Sequence, residues 1–315
     1  MHQPGVVPLR PLTLGDMFGG STLTIRRNPA ATVGLAALVK LVFMLVPVVV
    51  TLVLGFGDHL PSMNLDSDPN ANPMAGVGLN AASLVSGVFS ALAGIVVTGL
   101  VMRAVEQAVV GRRLPAAEAW RTVRGRLWAL LGLALLAGLI SLLVVGLPAG
   151  LGVALGLLAG SGALTILLGI LGGLLGLVAL TYVYVRFLLL APPNLVIEDN
   201  GVLASMRRAG QLSRGQFWRL LGISLLAGLT AGLVGQLVQV PFAIVGVVLA
   251  FLLPGSWGIV ALLLCTYLAT VVTGSVTSPF TGGVTALQYY DQRFRKEGHD
   301  IELLDRALSQ PPDRR

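Results

Sequence analysis

Long apolar tracts, separated by short arginine-rich segments, dominate the pattern along the chain. Each tract is far longer than the roughly 20 residues that one helical membrane crossing takes, and two crossings fit its length. The pattern therefore predicts an all-α integral membrane protein with six transmembrane helices. We place them near residues 31–54, 80–102, 127–147, 163–190, 220–240 and 258–287.

Lysine and arginine fall almost entirely into four clusters that flank these tracts, at residues 10–27, 103–126, 207–219 and 293–315. The turns on the other side, at 55–78, 148–162 and 253–257, contain neither residue. Because basic loops stay in the cytoplasm, both ends of the chain are expected there. We expect a cytoplasmic segment with an interfacial helix at 1–30, a six-helix membrane domain at 31–288 and a cytoplasmic tail at 289–315.

The composition excludes a soluble enzyme. Only 11% of the residues are charged and 55% are hydrophobic, whereas soluble domains carry about 25% charged residues. Cys265 is the only cysteine, which excludes a disulfide framework. The excess of arginine over lysine, with abundant alanine, glycine, leucine and valine, favours a bacterial source, so the inner membrane is the expected location.

The outward helices share a threefold repeat. An arginine is followed eight residues later by a glycine in the pairs Arg26 and Gly34, Arg124 and Gly132, and Arg214 and Gly222. Before each arginine lies a segment with helical periodicity and a basic opposite face, which is typical of helices that lie along the headgroup plane. Each unit therefore predicts an interfacial helix followed by a helix pair. The alternative is that these segments are ordinary solvated loops that happen to be helical.

The basic faces of the second and third segments are the candidate sites for lipid headgroups. The candidates are Arg121, Arg124, Arg207, Arg208 and Arg214. Arginines in the interface attract anionic headgroups, so the expected partner is anionic membrane lipid, with a membrane protein as a further partner. Nucleic acid is not expected, because these arginines lie at membrane boundaries without the interleaved aromatic residues of a stacking surface.

The C-terminal segment alternates in charge sign after helix six, whose end we predict at Tyr289 and Tyr290. We expect its acids to pair with the basic residues Arg121, Arg124, Arg207 and Arg208. Its apolar residues, Phe294, Ile301 and Leu304, are expected to dock it against the interfacial helices.

Three polar residues within the spans are candidate functional groups, since ionisable and polar side chains are costly in hydrocarbon. Lys40 lies in helix one, where its side chain either reaches the interface or serves a function. Gln236 and Gln239 lie in helix five and either bond across helices or line a solute path. The apolar runs after Pro148 and Pro241 are either re-entrant helices or tilted extensions of the preceding spans.

Glycines at a spacing of four predict close packing between helices, because they let backbones approach in lipid. They are Gly152, Gly156 and Gly160; Gly169 and Gly173; Gly172 and Gly176; and Gly228 and Gly232. No spacing typical of a metal, nucleotide or nucleophile site is present, and His2, His59 and His299 lie far apart. We expect no enzyme activity and no cofactor.

Two stretches carry a resemblance to a known family. They are LVIEDNGVLASMRRAGQLSRGQFWRLLGISLL from Leu195 and YYDQRFRKEGHDIELL from Tyr289. The chain resembles the bacterial polytopic family known as the glycerophosphoryl diester phosphodiesterase membrane domain. This resemblance implies a six-helix membrane protein with no assigned activity of its own, and the phosphodiesterase domain is not in this chain.

Two functions remain open from the sequence. The first is a non-enzymatic membrane protein that organises lipid or partner proteins through its basic interfacial helices. The alternative is a transporter or channel for a small or amphipathic solute, which Lys40, Gln236 and Gln239 favour together with the segments after Pro148 and Pro241. The oligomeric state does not follow from the sequence.

Overall fold

The computed structural model describes residues 6–8, 10–56, 73–109, 111–112, 114–254 and 256–298. The regular structure of these residues is helical. The helices are α1 (Leu14–Arg27), α2 (Leu35–Phe56), α3 (Pro73–Val109), α4 (Ala116–Arg124), α5 (Leu127–Leu158), α6 (Gly162–Val183), α7 (Ala191–Ile197), α8 (Val202–Leu212), α9 (Phe217–Leu252) and α10 (Ser256–Glu297). A π-helical turn at Ala30–Gly34 leads into α2, and another at Tyr184–Leu188 follows α6.

Six helices of the described part of the chain are long and apolar enough to cross a membrane. They are Ala30–Leu52, Val85–Val109, Leu127–Leu158, Gly162–Ile197, Phe217–Leu252 and Trp257–Glu297. This confirms the predicted all-α fold with six spans. The observed helices are longer than predicted at several ends, because hydropathy marks the apolar centre of a span and not the polar turns that continue it.

The two prolines do not start re-entrant helices. Pro148 lies inside α5 and Pro241 inside α9, and both helices continue past them to Leu158 and Leu252. The re-entrant interpretation was wrong, and the alternative of a helix extension is correct. Because hydrocarbon offers no partner for free backbone groups, a continued helix costs less than a chain break at this depth.

The long helices form three hairpins, and each follows a short helix. The pair α2 and α3 follows α1, α5 and α6 follow α4, and α9 and α10 follow α8. The element order therefore repeats three times as the sequence predicts, with α7 as an additional short helix before α8. The helix α1 begins at a capping box, in which Thr13 accepts from the Asp16 N–H and Asp16 accepts from the Thr13 N–H at 2.9 Å.

Glycines hold the second hairpin together. A Cβ atom at Gly152, Gly156 or Gly172 would overlap backbone atoms of the facing helix, and one at Gly176 would lie 2.7 Å from the Cα of Val145. Beyond Leu133, these glycines are the only buried residues of α5 and α6. The outer part of this hairpin therefore packs on itself and leaves its leucine-rich outer faces exposed.

The main core lies at one end of the bundle, where α1, α4, α7, α8 and the C-terminal end of α10 meet; we call this end the basic face. The N-terminal residues Val6, Val7 and Leu12 are buried in it. The helix α10 does not end at Tyr290 as predicted but continues to Glu297, and Gly298 follows in a left-handed conformation (φ 63°). Residues 289–297 of the predicted tail thus belong to α10.

Candidate membrane-interface site

Acidic side chains at the basic face bind arginines inside the structure. Glu198, which follows α7, accepts a hydrogen bond from the hydroxyl of buried Tyr289. Its oxygens also lie 3.4 Å from Arg208 and 3.6 Å from Arg293. Burial raises the pKa of Glu198, but the Tyr289 hydrogen bond and the two arginine charges outweigh it and hold the pKa below its ordinary value. The carboxylate therefore stays ionised near neutral pH.

A second carboxylate clamps the N-terminal segment. Asp291 is 1% exposed and pairs with Arg219 at 3.1 Å and Arg295 at 2.9 Å. One of its oxygens accepts the Leu12 N–H at 2.8 Å, and Arg219 donates to the Leu12 carbonyl at 2.6 Å. Both polar groups of Leu12 are thus bound by one ion pair, which fixes the segment before α1 against α9 and α10.

The remaining pairs tie the hairpins together at the same end. Asp199 accepts from Arg103 and Arg126, each at 3.0 Å, which joins α3 to the start of α5. Glu297 lies 2.6 Å from Arg208, which joins the end of α10 to α8. These three ion pairs therefore act between elements that are distant in sequence.

Six arginines surround this network without an ion pair to any carboxylate that the structure describes. All six are exposed, and each of the three repeat units supplies two of them: Arg26 and Arg27, Arg121 and Arg124, and Arg207 and Arg214. We call this set the arginine rim. Trp128 and Trp218 lie in the first turns of α5 and α9 and are 82% and 80% exposed, a position typical of aromatic side chains at a membrane interface.

The predicted headgroup residues divide between the rim and the network. Arg121, Arg124, Arg207 and Arg214 belong to the rim, whereas Arg208 is bound by Glu198 and Glu297. Of the predicted pairs between the C-terminal acids and these arginines, the described residues contain only that of Glu297 with Arg208. Phe294 is buried as predicted for docking, while Ile301 and Leu304 lie outside the described residues.

Sequence reasoning missed the acidic partners Glu198 and Asp291. Both follow apolar segments, and this position is the signal that could have drawn attention to them. The i,i+4 spacing of Asp291 with Arg295 was also visible. Their other partners were not, since Glu198 and Tyr289 are 91 residues apart and Leu12 and Asp291 are 279 residues apart.

The intramembrane candidates occupy two separate places. Lys40 is 7% exposed and lies across Gly274 in the interface of α2 and α10, with no hydrogen bond or ion pair to a described residue. Its side chain therefore packs between these two helices. Gln236 is exposed and Gln239 half-buried, and both line a groove of about 340 Å³ between α9 and α10. The expected cross-helix bonds of the two amides are not made with any described residue.

The described residues hold no group of three or more His, Cys, Asp or Glu side chains that could bind a metal ion. Cys265 is half-buried in α10 and faces Gly246 of α9. The described part of the basic face thus offers cations and hydrogen-bond donors at its surface, where Glu118 is also exposed, while Glu198, Asp291 and Glu297 are held in ion pairs. Such a surface attracts anions.

The fold and the site together define a multi-pass α-helical membrane protein with a basic face. Searches against protein-family models, curated proteins and solved structures found no match to the chain. The resemblance to the glycerophosphoryl diester phosphodiesterase membrane domain family therefore stays a prediction.

Proposed function

We propose that the chain is a non-enzymatic protein of a bacterial inner membrane that organises anionic lipid around its basic face. The positive-inside rule supports a cytoplasmic location for this face, because the exposed arginines gather there. Membrane-protein partners would meet the same surface. A membership in the family that the sequence resembles would agree with this role.

The observation that carries the proposal is the arginine rim. Half-buried Glu198 and buried Asp291 bind Arg208, Arg219, Arg293 and Arg295, so these cations stabilise the fold. The rim arginines have no carboxylate partner among the described residues. Their charge is therefore available to an external anion, and repetition in all three units distributes it around the bundle.

Lipid phosphate is the anion that this geometry favours. Trp128 and Trp218 lie close in sequence to the rim residues Arg124 and Arg214, and exposed tryptophans of this kind lie at headgroup level. Each arginine near an anionic membrane surface contributes about 1 kcal/mol of attraction. The two arginines of one unit thus give about 2 kcal/mol, which corresponds to roughly 30-fold preference before screening by salt.

Fluorescence quenching by brominated lipids tests this proposal in the full chain. The substitutions Trp120→Phe and Trp257→Phe leave Trp128 and Trp218 as reporters. The vesicles contain phosphatidylglycerol and phosphatidylcholine, and either lipid carries the bromine. Quenching should show that phosphatidylglycerol occupies the sites next to these tryptophans with at least about fivefold preference over phosphatidylcholine. The preference should fall close to one in a variant that carries Arg121→Gln, Arg124→Gln, Arg207→Gln and Arg214→Gln.

The matched control replaces the same four arginines by lysine, which keeps the charge and should keep most of the preference. Equal quenching by the two brominated lipids in the unsubstituted rim would contradict the proposal. So would a preference that survives in the glutamine variant, because the attraction would then come from another part of the chain.

One observation favours the transport alternative. Lys40 is a buried amine without a described acceptor, and ionisable groups inside a bundle are typical of solute and ion pathways. The central cleft described below is not lined by Lys40 and carries no charged side chain. The lipid-organising role therefore has the broader support, since three repeated units contribute to it.

A further inference from the structure

A cleft of about 670 Å³ lies between the second hairpin and the rest of the bundle. Its walls are α3, α5 and α10, and the segment that follows α6 closes it near the basic face, with Leu188, Leu189 and Pro192. The cleft exists because α5 and α6 pack on the other hairpins only near that end. Beyond Leu133 of α5 and throughout α6, the hairpin has no buried residue except the glycines of the α5–α6 interface.

The walls of the cleft are suited to hydrocarbon. Among the described residues no charged side chain lines it, and most lining residues are apolar. Three of its hydroxyl groups already donate to carbonyls of their own helices: Ser141 to Ala137 at 2.7 Å, Thr281 to Thr277 at 3.1 Å and Thr285 to Thr281 at 3.0 Å. A polar solute would lose its hydration in this cleft and gain few partners, so the lining disfavours it.

Two further hydroxyls remain available. Those of Thr98 and Tyr184 line the cleft and make no hydrogen bond to a described residue. Thr98 lies one helical turn from Met102, the lining residue that precedes Arg103. The donors are therefore on the part of the wall near the basic face, where they are placed to donate to the ester groups of a lipid.

We propose that this cleft binds one acyl chain of a bilayer lipid, with the ester oxygens toward Thr98 and Tyr184. The cleft opens sideways between the hairpins, so hydrocarbon chains have direct access to it. A helix of a second copy fits less well, because an α-helix with side chains is about 10–12 Å across and this volume holds little more than one of its turns. No rim arginine lines the cleft, so this site and the rim are independent.

Two glycines make a filling experiment possible. Gly94 on α3 and Gly138 on α5 line the cleft, and a Cβ atom at either would meet no atom within 4 Å. Leucine at both positions should therefore occupy the space of the acyl chain without displacing the protein. Gly150 and Gly173 are equally open but lie outside the cleft lining, so Gly150→Leu with Gly173→Leu is the matched control.

The test uses the full chain in nanodiscs of phosphatidylcholine, a lipid without net charge, followed by mild detergent extraction and native mass spectrometry. The unsubstituted chain and the control should keep one phosphatidylcholine per chain. The variant with Gly94→Leu and Gly138→Leu should keep at least fivefold less. Should the double variant fail to fold, Gly138→Leu alone is measured in the same way and should show a partial loss.

Equal retention in the cleft variant and the control would overturn the proposal, as would no bound lipid in the unsubstituted chain. A dimer that dissociates when the two leucines fill the cleft would also overturn the proposal, because the occupant would then be a second copy of the chain. The four-glutamine rim variant should keep the lipid, which separates failure of this site from failure of the rim.

Discussion

Replacing Asp291 by alanine should lower the free energy of unfolding by about 4 kcal/mol, because removal of one partner from a buried ion pair leaves the others without compensation. The side chain is 1% exposed and holds Arg219, Arg295 and the Leu12 N–H. Denaturant unfolding in detergent measures the loss. Hydrogen–deuterium exchange of the Leu12 amide should also be faster in this variant, since its acceptor on Asp291 is gone.

Asp199→Asn is the matched control for this prediction, because asparagine removes the charge and tolerates the left-handed backbone at this position (φ 56°). Asp199 also pairs with two arginines, but it is 54% exposed, so its loss should cost less than about 1 kcal/mol. Equal destabilisation by the two substitutions, or an unchanged exchange rate of the Leu12 amide in Asp291→Ala, would mean that the clamp does not hold the N-terminal segment.

Replacing Gly172 by leucine should destabilise the second hairpin by more than about 3 kcal/mol. A Cβ atom at this position would overlap the carbonyl oxygen of Pro148, and neither backbone can yield while the helices remain in contact. Overpacking a tight interface already costs about 1–3 kcal/mol when side chains can shift. Thermal unfolding followed by circular dichroism should show the loss.

The neighbouring substitution Gly173→Leu serves as the control, since it has the same helix propensity and meets no atom within 4 Å. It should leave the melting temperature nearly unchanged. If both substitutions lowered it equally, the effect would come from the loss of glycine in the helix and not from the α5–α6 contact.

The six spans followed from the sequence because hydropathy and charge report directly on the membrane. Each apolar tract had to cross twice, and the arginine clusters identified the ends. The glycines were a partial success. Gly152, Gly156, Gly169, Gly172 and Gly176 do pack between helices, whereas Gly160, Gly173, Gly228 and Gly232 meet no atom within 4 Å. A helix that is apolar on all sides has no hydrophobic periodicity, so the sequence does not show which glycine-lined face packs against another helix.

The site could be predicted only at its surface. Arg121, Arg124, Arg207 and Arg214 were identified because a basic residue on an amphipathic helix has a local signature. Arg208 is paired and not available at the surface, because the fold brings Glu198 and Glu297 close to it from other elements. The cleft was not foreseen, since it results from how far α5 and α6 stand from the bundle, and no residue pattern encodes that separation.

The sidedness of the basic face is the most direct test of the account. The arginine rim can act on one leaflet only if the second and third units, which carry four of its six arginines, lie at the same leaflet. Single cysteines are introduced in a Cys265→Ala background at Gly125, Gly201 and Gly162, which are exposed and have space for a side chain. The first two lie at the basic face, and the third is the first residue of α6, next to the turn that joins it to α5. In intact spheroplasts, an impermeant maleimide should label the Gly162→Cys variant alone and reach Gly125→Cys and Gly201→Cys only after permeabilisation. Labelling of either basic-face variant from the same side as Gly162→Cys would contradict the account.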